Sequence, residues 1–132
     1  MKLIVCIDDK NGMMFNNRRQ SKDSKLIDDV ISYAGGKLWT NSFSIDLFDG
    51  HTNVKTDENF LMIANDDEYC FVENIDISKL SLNISEVVIY RWNRVYPADR
   101  YFDFNLSGYN CTSTKEFIGN SHEKITKEVY VK

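Results

Sequence analysis

The stretch from Glu86 to Lys132 constrains the fold most. Val87, Val88, Ile89 and Tyr90 form an unbroken apolar run. A strand with one face in water alternates apolar and polar residues, so an unbroken run marks a strand covered on both faces. The chain's one proline, Pro97, follows in a loop. Residues 109–114 and 125–131 then suit an antiparallel pair, with Gly119, Asn120 and Ser121 breaking the pattern between them. A buried strand closed by such a hairpin requires the upstream chain to supply the rest of a sheet.

Upstream, residues 3–7 are a continuous apolar strand ending in the turn-forming Asp8-Asp9-Lys10-Asn11-Gly12. A polar stretch, residues 16–23, leads into a helix whose inner face is Leu26, Ile27, Val30, Ile31 and Ala34. Ser21 or Asp23 is suited to cap it, and Gly35-Gly36 to stop it. Residues 37–40 read as a short strand, 42–48 as a helical turn, and 51–55 as loop entering an edge strand. Thr56 is placed to cap a second helix that turns Phe60, Leu61, Ile63 and Ala64 inward. Residues 69–72 read as a buried strand and 75–82 as a short helix or turn. Strands alternating with helices, then a closing hairpin, specify one α/β domain over residues 1–132, with a mixed, mostly parallel sheet.

At 132 residues the chain can bury a core without staples. Its net charge of −4 argues against a general nucleic-acid binder, whose domains are usually basic. No run reaches transmembrane length, and the opening residues do not resemble a signal peptide. The odd set Cys6, Cys70 and Cys111 has no metal-ligand spacing, so reduced thiols in a cytoplasmic protein are expected. The two histidines are too far apart in sequence, and too few, for a protein-built zinc site.

The order of elements and the local text at residues 3–12 and 16–17, at Ala98-Asp99-Arg100-Tyr101-Phe102 and at residues 120–130 together resemble dihydrofolate reductase. Leu-Ile-Val-Cys-Ile-Asp-Asp-Lys-Asn-Gly at residues 3–12, followed by Asn16-Asn17, resembles that family's first strand and mobile loop. Residues 54–58 through 68–72 resemble its strand, helix and central strand. Ala98-Asp99-Arg100-Tyr101-Phe102 is similar to its Gly-Asp-Thr-x-Phe loop, and residues 120–130 to its last hairpin. The resemblance implies a mixed sheet flanked by helices and an NADPH-dependent reductase acting on a pterin-like substrate.

The departures bear on function. Where the family has consecutive glycines for close approach of the cofactor phosphates, this chain has Glu73-Asn74. Where the family has Gly-Arg-x-Thr, it has Thr40-Asn41-Ser42-Phe43-Ser44, with no arginine. Arg18-Arg19-Gln20-Ser21 replace the tryptophan and prolines before the catalytic helix, and Arg91 falls where the family has a supporting threonine. Asp23 can be laid against the acid that holds the pterin ring. The expectation is therefore a reductase-like domain without reductase activity, binding a small anionic molecule in the ancestral cleft. No cofactor is expected. NADPH is the alternative, with Thr40 and Ser42 as its contacts. A third reading is an RNA-binding or RNA-processing protein, but not a metal-dependent ribonuclease Z, because His-x-His-x-Asp-His is absent.

The expected ligand-binding residues are Arg18, Arg19, Cys6, Glu73, Asn74 and Arg91, with Asp23 as the catalytic candidate. Asp23, Glu73 and Arg91 are expected around one cleft at the ends of adjacent central strands, where α/β sheets bind ligands. Each has a plainer reading. Asp23 can be a helix cap, Arg91 can pair with an acid such as Glu73, and Cys6 can be an inert core thiol. His122 reads as a turn residue, with general base as its alternative. Trp92, Tyr96 and Tyr101, interleaved with Arg91, Arg94 and Arg100, suit either a packed aromatic cluster or base stacking.

Overall fold

The computed structural model describes residues 1–79 and 83–132. Strand β1 (Lys2–Ile7) leads to a hairpin of β2 (Gly12–Phe15) and β3 (Arg18–Arg19), then helix α1 (Ser24–Ala34). Next come β4 (Leu38–Thr40), a 3-10 turn (Ile45–Phe48), β5 (Val54–Thr56), helix α2 (Phe60–Ile63) and β6 (Tyr69–Phe71). A 3-10 turn (Ile77–Lys79) precedes β7 (Glu86–Arg91), β8 (Arg100–Tyr101) and the closing pair β9 (Asn110–Phe117) and β10 (Ile125–Val131). The remainder of the helix or turn expected over 75–82 lies outside the described residues.

Seven strands form the main sheet in the order β5-β4-β6-β1-β7-β10-β9. Strands β5, β4, β6, β1 and β7 run parallel, and β10 joins β7 antiparallel. β1 and β7 pair over their whole lengths, Lys2 opposite Glu86 through Ile7 opposite Arg91. Both are covered on each face, which explains their unbroken apolar runs. On one face Ile4, Phe71, Val88 and Tyr90 pack beneath Leu26, Ile27 and Val30 of α1. On the other, Leu3, Val5, Cys70, Val87 and Ile89 pack with Phe60, Ile84 and Phe102. Each fully buried aliphatic side chain of this kind contributes roughly 1.5–3 kcal/mol.

Asp23 caps α1, its carboxylate accepting from the backbone N–H of Lys25 and Leu26. At the other end Gly35 adopts φ 60°, the left-handed conformation that a Cβ disfavours, and its N–H bonds to Ile31 O. The expected second helix is corrected. Thr56 ends β5, α2 is a single turn without a side-chain cap, and Ile63 is exposed rather than turned inward. A second, three-stranded sheet, β3-β2-β8, was not expected. Its tight turn is Asn16-Asn17, at φ 50° and 59°, the type I′ backbone that matches the twist of a hairpin.

Candidate functional site

The carboxyl ends of β1, β4 and β6 and the β2–β3 hairpin meet at one edge of the main sheet. Arg19, at the end of β3, sends its guanidinium across to Glu73, just past β6. Nε lies 3.1 Å from Oε2 and Nη2 lies 3.1 Å from Oε1. Ser44 Oγ donates to the same Oε1 at 2.6 Å, and Arg19 Nη2 also reaches Phe43 O and Asp46. Next to Glu73, Asn74 Oδ1 accepts from Asn41 Nδ2 at 2.9 Å. Cys6, Asp23, Phe71, Glu73 and Trp92 enclose a space of only about 10 Å³, room for one water at most. Burial and the Glu73 carboxylate push the Cys6 thiol well up, so it stays protonated.

Asp23 is fully engaged. Oδ1 accepts from the N–H of Lys25, Leu26 and Asn120, and Oδ2 from the N–H and hydroxyl of Ser121. His122 Nδ1 lies 2.9 Å from Oδ2, and both side chains are buried. Burial would raise the Asp23 pKa, but the N–H groups of Asn120 and Ser121, His122 and Leu26 outweigh it and hold the carboxyl well below its usual range. With an ionised Asp23 accepting at Nδ1, the neutral imidazole of His122 carries its proton on Nδ1 and has Nε2 as the acceptor. Nε2 lies 2.9 Å from Ser21 Oγ and 3.2 Å from Tyr96 OH, and the ring stacks on Trp92 with centroids 4.6 Å apart. His122 is thus more than a turn residue. Its partners Ser21 and Asp23 lie 101 and 99 residues away in sequence, and no local signal pointed to them.

Arg91 is elsewhere. Tyr90 faces α1, so its neighbour Arg91 points to the opposite face of the sheet, where Nε donates to Glu128 Oε1 at 2.8 Å. Tyr130 OH donates to the same oxygen. The expectation of one cleft shared by Asp23, Glu73 and Arg91 is corrected, because neighbouring strand residues project to opposite faces. A free Asp23 carboxylate for a pterin ring is corrected as well, because its oxygens already accept from backbone and side chains. The proposed cofactor contacts are also committed. Thr40 Oγ1 donates to Phe71 O at 3.0 Å in a buried position, and the Ser42 hydroxyl donates to Glu58.

One of several open clefts, of about 420 Å³, lies between the β2–β3 hairpin and the β4 end, lined by Asn17, Arg18, Arg19, Ser21, Lys22 and Phe43. Among the described residues, Arg18 and Lys22 have no acidic partner, and both are exposed. No cluster of His, Cys, Asp or Glu suited to a metal occurs among the described residues.

The structure superposes on dihydrofolate reductase from Enterococcus faecalis, complexed with NADP(H) and RAB-propyl, with a TM-score of 0.65 over 98% of this chain and 94% of that one. The chain has the dihydrofolate reductase fold. Identity to that reductase is 10%, which establishes the architecture alone. No protein-family model matches the sequence, and no curated protein does. The dihydrofolate reductase fold here carries Glu73 paired to Arg19 at the end of a central strand, and no described helix is long and apolar enough to cross a membrane.

Proposed function

We propose that this domain binds a small phosphorylated or carboxylated molecule in the cleft beside Arg18 and Lys22. The observation that carries the reading is the pair of unpartnered cations at the mouth of that cleft, beside an Arg19 held rigid by Glu73. Guanidinium and ammonium groups without a protein counter-ion gain most from an anion that also sheds water in a concave site. The residues at the ends of β4 and β6 suit a nicotinamide dinucleotide poorly. A diphosphate there would meet the Glu73 carboxylate, and the side chains of Thr40, Ser42, Asn41 and Asn74 are already bonded within the protein. A nucleic-acid role draws little support from the aromatic loop, where Arg91 is paired to Glu128 and Arg100 to Asp76.

The test is calorimetric titration at low salt with inorganic phosphate, pyrophosphate, citrate and NADPH. Saturable millimolar or tighter binding of the small anions is expected, weakened at least tenfold in Arg18→Ala/Lys22→Ala. Absence of saturable binding by all of them overturns the reading. Micromolar NADPH binding that survives the double substitution would instead restore a reductase.

A further inference from the structure

Ser21, His122 and Asp23 stand in the relation of nucleophile, base and orienting acid. Ser21 Oγ lies 2.9 Å from His122 Nε2, and His122 Nδ1 lies 2.9 Å from Asp23 Oδ2. Such a set is recognised by geometry and roles rather than by order in the chain. We propose that these three residues make an acyl-transfer site that hydrolyses small carboxylic esters bearing a second anionic group.

The exposures follow the roles. Ser21 is half-buried and lines the open cleft, whereas His122 and Asp23 are buried behind it. The imidazole is held on three sides, by Asp23, by the Trp92 ring and by Tyr96 OH, so little reorganisation is needed to keep Nε2 aimed at the hydroxyl. Asp23 is itself fixed by the N–H groups of Asn120 and Ser121. Among the described residues, the backbone N–H of Lys22, the residue after the nucleophile, donates to no protein acceptor. It is a donor open to a developing oxyanion.

In the reaction, Ser21 Oγ bonds to the acyl carbon as its proton passes to His122 Nε2. The carbon–oxygen bond to the leaving alcohol breaks, and that oxygen takes the proton from Nε2. Water then attacks the Ser21 ester with the same proton relay, releasing the carboxylic acid and restoring the hydroxyl. Arg18 and Lys22 border the same cleft and would hold the second anionic group, a substrate choice that rests on the anion-binding reading above. The acyl chemistry itself does not rest on it.

The experiment treats the full chain with a fluorophosphonate probe and, separately, with p-nitrophenyl acetate and p-nitrophenyl hemisuccinate. A single adduct on Ser21, and ester hydrolysis lowered at least 100-fold in Ser21→Ala, are expected. Ser21→Ala trims a half-exposed hydroxyl, and an unchanged circular dichroism melt will show that it folds. Asp23 is a positioning residue. Asp23→Asn should slow labelling and remove the downfield Nδ1–H proton resonance of His122. Arg18→Ala/Lys22→Ala should abolish the preference for hemisuccinate over acetate. No adduct on Ser21 together with hydrolysis equal to the Ser21→Ala control overturns the acyl-transfer site. Labelling without any hemisuccinate preference overturns the anionic substrate class alone.

Discussion

Gly119 sits so close to Asp23 that a Cβ on it would come within 2.6 Å of Oδ2. The same atom would meet Ile125 Cδ1 at 2.9 Å. Neither neighbour can retreat, because Asp23 is held by backbone N–H groups and Ile125 is buried. Gly119→Ala should therefore destabilise the fold by about 1–3 kcal/mol, the usual penalty of overpacking. Urea denaturation will measure it, and a change below about 0.5 kcal/mol would contradict this packing.

Acid should unfold the protein partly through Asp23. Its folded carboxyl titrates below the ordinary unfolded value, as does Asp8, where burial is outweighed by the N–H groups of Gly12, Tyr96 and Lys10. A depressed carboxylate contributes stability that is complete above the unfolded pKa of about 4 and is lost as pH falls towards the folded value. Unfolding free energy should thus decline below about pH 4. Asp23→Asn should flatten part of that decline while Asp8 retains a share. Equal acid slopes in the two proteins would refute the assignment.

Arg19 and Glu73 should show strong coupling. Their side chains are only 21% and 9% exposed, so deleting the arginine strands a carboxylate that Ser44 alone partners among buried groups. Arg19→Ala is expected to cost roughly 3 kcal/mol, and Arg19→Met/Glu73→Gln to recover part of it. A double-mutant cycle reads the interaction directly, and simple additivity would mean the pair contributes little.

The three thiols should separate kinetically. Cys111 is exposed, whereas burial pushes Cys70 up to about 12 and burial with Glu73 raises Cys6. Ellman's reagent at neutral pH should label Cys111 rapidly and the other two only on unfolding. Fast reaction of Cys6 in the folded protein would show that the space around it opens.

The strands β1, β7 and β10 and the first helix were legible because their apolar patterns are long. The β2–β3 hairpin was not, since Arg18-Arg19 is too short a strand to show alternation and Asn16-Asn17 does not by itself mark a type I′ turn. Arg91 was misplaced for a different reason. A strand buried on both faces carries no periodicity, so the sequence of β7 cannot tell which residues face α1. His122 was undervalued because its partners Asp23 and Ser21 come from the far end of the chain. Only tertiary structure brings them within hydrogen-bond distance.

The strand order also sets the timing of folding. β1, early in the chain, lies at the middle of the sheet between β6 and β7, with Lys2 opposite both Tyr69 and Glu86. Neither neighbour exists while the first sixty residues are being made. During synthesis β1 therefore leaves the ribosome as an apolar segment with no partner strand, and the sheet closes late through contacts of high sequence separation. Such topology folds slowly and leaves the nascent chain open to chaperones until the second half emerges.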